Sequence, residues 1–99
     1  MMKVEKRVQI LLSTQRALLG AISGRVRAVG CFWDDCNIEI CFVFEKLPLE
    51  DELEDVSCVE TEIMCDFPEY KVRAIHDVVE MPNKISLKSG SVLVYMRKE

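Results

Sequence analysis

Two runs that alternate apolar and polar residues, Arg25–Trp33 and Ile38–Glu45, face each other across Asp34-Asp35-Cys36-Asn37. Alternation with a period of two marks a strand with one buried face, and two such runs around turn-forming residues predict a β-hairpin. An isolated hairpin is marginal in water, so its apolar face must meet other elements. The flanking sequence supplies them. From Val4 to Ile22 the apolar residues fall at 4, 8, 11, 12, 18, 19 and 22, a helical stripe that ends around Gly20, Ser23 and Gly24. Pro48 opens a second helix running to about Asp66 and stopped by Pro68. Glu50, Asp51 and Glu52 suit its positive N-terminus. Tyr70–Glu80 reads as a third strand, Met81–Gly90 as a loop or irregular edge, and Ser91–Arg97 as a fourth strand. The order α-β-β-α-β-β predicts one α+β domain over residues 1–99, with two helices on one face of a four-stranded antiparallel sheet.

The hairpin register follows from pattern. If Val26, Ala28, Gly30 and Phe32 share a face with Ile38, Ile40, Phe42 and Phe44, the loop holds an odd number of residues. A three-residue loop, Asp35 to Asn37, then sets Cys31 opposite Cys41, Val29 opposite Val43 and Arg27 opposite Glu45. On the second face Val29, Cys31, Trp33, Cys41 and Val43 would form an apolar band. That band is either covered by the loop or C-terminal segment, or open to self-association as a homodimer.

Charge is unevenly placed. Ten of the twenty-five residues from Glu45 to Glu69 are acidic against one lysine, while residues 1–28 hold six cations and Glu5. A net charge of −4 disfavours nucleic acid and anionic membranes as partners and suits a basic protein. Ile10-Leu11-Leu12 is interrupted at Ser13, so neither a signal sequence nor a membrane span is expected. Five cysteines without an export signal read as reduced thiols in a cytoplasmic protein.

On a helical wheel the apolar arc of the second helix is Leu49, Leu53, Val56, Ile63 and Phe67, with Glu60 inside it; Gln15 falls likewise in the first helix's arc. A buried carboxylate needs a partner. Gln15 and an arginine, Arg16 or Arg27, are the first candidates, giving a structural polar cluster of Gln15, Arg27 and Glu60 rather than a catalytic acid. Glu50, Asp51, Glu54, Asp55, Glu62 and Asp66 point outward, as a solvated face or as a docking surface for a basic partner. No catalytic set, metal site or cofactor site is expected. His76 has no nucleophile beside it in the pattern, the cysteine spacing C-x4-C-x4-C fits no zinc knuckle, and Lys84–Gly90 lacks a phosphate-loop pattern.

The strings Leu11–Ile22, Arg27-Ala28-Val29, Glu60–Ile63, Asp66-Phe67-Pro68 and Val94–Glu99 resemble a family of small bacterial cytosolic proteins. Some of its members resemble the CdiI-type immunity proteins of contact-dependent growth inhibition. The resemblance implies a non-catalytic protein that binds and neutralises a cognate toxin domain, commonly a nuclease with a basic cleft. A small homo-oligomeric housekeeping or scaffold protein is the competing reading.

Overall fold

A computed structural model describes residues 2–99, with side chains from residue 5 onward, so Val4 of the helical stripe lies outside the described side chains. The elements are α1 (Met2–Leu18), β1 (Val26–Trp33), β2 (Asn37–Phe44), α2 (Glu50–Asp66), β3 (Lys71–Val78) and β4 (Val92–Met96). The α+β class and the element order are as expected. The sheet is not all antiparallel. Its order is β3-β2-β1-β4; β1 runs antiparallel to β2 and β4, but β3 runs parallel to β2.

The reason is the length of α2. Seventeen helical residues rise about 26 Å, close to the roughly 26 Å of an eight-residue strand, so the helix carries the chain back to the end where β2 began. A strand leaving that end beside β2 must run parallel to it. The antiparallel expectation treated α2 as a cover and overlooked that it is also the crossover.

The hairpin register differs by one residue from the expected one. Cys31 lies opposite Ile40, Val29 opposite Phe42 and Trp33 opposite Ile38. The connection is therefore even. The Asp34 N–H donates to the Asn37 carbonyl at 3.0 Å, leaving Asp35 and Cys36 as the two central residues. Asp34 Oδ1 accepts the N–H groups of Cys36 (3.0 Å) and Asn37 (2.8 Å), which hold its carboxyl below the ordinary range. A shift of one residue reverses every side chain. Val29, Cys31 and Trp33 thus face the helices together with Ile38, Ile40, Phe42 and Phe44.

Val26 also belongs to this core, because the pairing slips between Val26 and Ala28. Arg27 is the extra residue of that β-bulge. Sequence parity counted from Val26 therefore assigns the rest of β1 to the wrong face. The expected band of Val29, Cys31, Trp33, Cys41 and Val43 does not exist as one surface: Val29 and Cys31 lie fully buried beneath the helices, while Cys41 and Val43 face the other way. Cys31 and Cys41 are consequently on opposite faces, and both thiols are free.

The second face is covered by the segment between β3 and β4. The Leu87 side chain packs directly over Gly30, where a Cβ would come within 2.8 Å of a Leu87 methyl and the leucine would have to shift. Lys88 places its ammonium 3.9 Å from the Phe32 ring centroid.

The helices bury small residues. Ile10, Ser13, Thr14, Ala17 and Leu18 point inward from α1, whereas Val8, Leu12 and Leu19 of the expected stripe are exposed. Thr14 donates to the Ile10 carbonyl at 2.8 Å, and Ser13 to Asp66 of α2 at 2.6 Å, so these hydroxyls are satisfied inside the packing. Gly20, at φ 78°, ends the helical path that the pattern extends to Ile22. In α2 the inward residues are Glu52, Val56, Val59 and Ile63.

Glu52 ties α2 to the connection before β1. Its carboxylate accepts from Ser23 Oγ (2.6 Å), Arg25 Nε (3.2 Å) and the Leu49 N–H (2.7 Å). Burial pushes this carboxyl up, but the three donors and the Arg25 charge outweigh it and hold it below the ordinary range. Glu52→Ala, which removes the acceptor of three part-buried hydrogen bonds, should lower stability by about 1 kcal/mol in urea denaturation. The folded state takes up the Glu52 proton at a lower pH than the unfolded chain does. Its contribution is therefore complete at neutral pH and lost as pH falls below the ordinary carboxylate range. The stability of Glu52→Gln should accordingly fall less steeply on acidification than that of the wild type.

The thiols should separate by burial. Desolvation pushes Cys31 up to about 11, against a small opposing effect of Thr14, and it also raises Cys41. Cys36, Cys58 and Cys65 are exposed. A disulfide exchange reagent at pH 8 should modify those three quickly, Cys41 slowly, and Cys31 only on unfolding.

Candidate partner-binding surface

The acidic residues of α2 separate by what they touch. The helix holds eight carboxylates and no lysine or arginine in Glu50–Asp66. Three carboxylates are engaged within the protein. Glu52 is the latch described above. Glu60 is half-buried, and its Oε2 accepts the Ala74 N–H of β3 at 2.9 Å. Asp66 accepts from Ser13 Oγ and lies 3.4 Å from Arg16 Nη2.

Glu50, Asp51, Glu54 and Glu62 are exposed, Asp55 is half-exposed, and among the described residues none of these five forms an ion pair. They sit on one rigid element, clamped by Val56, Val59 and Ile63 against the core. Their mutual repulsion has no neutralising cation on the helix, so the face carries a concentrated negative potential. An oriented array of uncompensated carboxylates recognises cations: it attracts a basic surface over a distance and releases it at high salt.

The expected cluster of Gln15, Arg27 and Glu60 is not formed. Gln15 is exposed, Glu60 caps a strand edge, and Arg27 lies on the opposite side of the sheet. Arg27 is nevertheless buried. Its Nε and Nη2 donate to the two Glu99 oxygens at 2.8 and 2.9 Å, and its Nη1 to the carbonyls of Val79 (2.7 Å) and Asn83 (2.9 Å). The Arg27 guanidinium holds the Glu99 carboxyl below the ordinary range. The true inward carboxylate of α2, Glu52, has a visible signal. Glu52, Val56, Val59 and Ile63 follow the 4-3-4 spacing of a buried stripe. Anchoring the arc on Leu49 and Leu53, which are 55 % and 39 % exposed, rotates the wheel towards Glu60 instead.

A groove of about 380 Å³ between the helices is lined by Gln9, Leu12, Ser13, Arg16, Asp66 and Phe67, without a nucleophile–base pair. His76 is exposed and stands edge-on to Phe44, and it forms no hydrogen bond with Glu60. Among the described residues no group of three His, Cys, Asp or Glu side chains could hold a metal ion. Among the described residues no helix is long and apolar enough to cross a membrane.

No match to a curated protein is found for the chain. Residues 7–99 match the family model described as the MafI2 immunity protein. The finding is an immunity family and is not specific to the CdiI type that the sequence strings resemble. The match takes in every strand, all of α2 and most of α1, so the chain belongs to the MafI2 immunity protein family.

Proposed function

We propose that this protein is a non-catalytic cytoplasmic antitoxin that binds the basic substrate cleft of a cognate nuclease toxin domain through the outward carboxylates of α2. The observation that carries this reading is the set Glu50, Asp51, Glu54, Asp55 and Glu62: five carboxylates on a cation-free helix, none ion-paired among the described residues. Membership of an immunity family supports a toxin as the partner. A nuclease must attract phosphate, so its cleft is cationic, and an acidic helix imitates the charge of the substrate. Asp66 stands at the rim, since Ser13 and Arg16 already occupy it.

A toxin domain that co-purifies with this protein serves as the test ligand. Replacing Asp51, Glu54 and Asp55 together by lysine should slow association about tenfold or more at low salt and flatten its salt dependence. Protection of cells expressing the toxin should fall in parallel, while the circular dichroism spectrum stays as in the wild type. Unchanged association and unchanged protection would sink the acidic-helix reading.

A further inference from the structure

The start of α2 holds residues that a stable helix does not call for. Leu49 occupies the N-cap at φ −79° and ψ 167°. In that extended conformation a serine, threonine, aspartate or asparagine oxygen would accept a free N–H of the first turn. A leucine side chain has no atom that can do so. One half of a capping box is present, because Glu52 Oε1 accepts the Leu49 N–H at 2.7 Å, and only the hydroxyl half is missing. Nor does Leu49 compensate by packing inward: it is exposed and lies outside the core cluster.

Leu53 follows one turn later, about 40° from Leu49 around the helix, and is exposed as well. Leu47, on the connection into the helix, is 76 % exposed, although Arg25 Nη2 holds its carbonyl at 2.7 Å. Three leucines thus stand in solvent on a short stretch whose backbone Arg25 and Glu52 fix.

The charges beside these leucines select what can cover them. Glu50 precedes Leu53 by three residues, about 5–6 Å between Cβ atoms, and Glu54 lies one turn beyond Glu50. Among the described residues neither carboxylate is ion-paired. A second copy of this helix would bring carboxylates against carboxylates, and an anionic membrane would meet the same repulsion. A protein surface with cations around an apolar spot satisfies both halves of the patch.

We infer that Leu49 and Leu53, with Leu47 beside them, are the apolar anchor of the toxin contact, seated on an uncharged spot at the rim of the toxin's basic cleft. The inference rests on the acidic-helix reading and deepens it. Charge acts over a distance and so governs association, whereas apolar contacts form only in the docked complex and govern dissociation. The carboxylates therefore steer the encounter, and the leucines hold the complex once it forms.

Binding kinetics of the full chain with the co-purifying toxin domain separate the two roles. Leu49→Ser supplies the missing cap hydroxyl and should raise the melting temperature of the free protein, yet its complex should dissociate about tenfold faster. Leu53→Gln, which keeps helix propensity and net charge, should also speed dissociation about tenfold. Neither should change the association rate or its salt dependence, which replacing Asp51, Glu54 and Asp55 by lysine should change. Dissociation within about twofold of the wild type in either leucine variant, with the lysine variant still slow to associate, overturns the anchor and leaves the acidic helix standing. A melting temperature lowered by Leu49→Ser overturns it too, since the leucine then serves the fold. If the lysine variant associates as the wild type does, the acidic-helix reading falls, and this inference with it.

Discussion

The turn at Asp34 governs the register on which the rest of the molecule is built. Among the described residues no non-glycine residue takes a left-handed conformation, so the two-residue connection cannot rely on the positive φ angles of the commonest tight hairpins. The Asp34 carboxylate replaces them, gathering the N–H groups of Cys36 and Asn37 and the Asn37 amide. That even-numbered connection puts Val29, Cys31 and Trp33 beneath the helices and leaves Gly30, Phe32, Cys41 and Val43 for the segment before β4. Had the turn one more residue, cysteines and glycine would exchange surroundings, and neither cover would fit.

The element order and the α+β class were legible because periodicity is a local property. Register and strand direction were not, because each depends on a single residue count or on a long-range return. The β-bulge at Arg27 adds one residue to β1 and reverses parity after Val26, with no local marker. Direction in β3 depends on α2 matching the length of β2, a comparison between elements rather than a pattern within one. The polar interior was misread for a related reason. Leucine is a strong apolar signal even where it lies exposed, as at Leu12, Leu19, Leu49 and Leu53, while Ser13 and Thr14 are buried, satisfied by Asp66 of α2 and by the Ile10 carbonyl. The candidate surface was legible in part: all six outward acids lie off the buried stripe, but the attachment of Asp66 to α1 needed the fold.

Two part-buried ion pairs hold the periphery to this frame. Glu52 joins the start of α2 to the approach to β1, and Arg27 joins the bulge to the segment after β3 and to Glu99. Both include main-chain partners as well as charges, so each fixes a loop position rather than only pairing two side chains. Arg97 extends the second of these, bonding Glu45 at 2.6 Å and the Gly24 carbonyl at 2.7 Å.

The division of labour within α2 has a consequence for how such a protein can change. Every carboxylate that the fold uses, Glu52, Glu60 and Asp66, makes a named internal bond. The remaining five make none among the described residues, and exposed substitutions of that kind alter stability by about 0.5 kcal/mol or less. The helix is therefore a fixed frame carrying an editable text. A rival partner with a rearranged pattern of cations can be met by rewriting Glu50, Asp51, Glu54, Asp55 or Glu62 one at a time, without any intermediate having to survive a broken core.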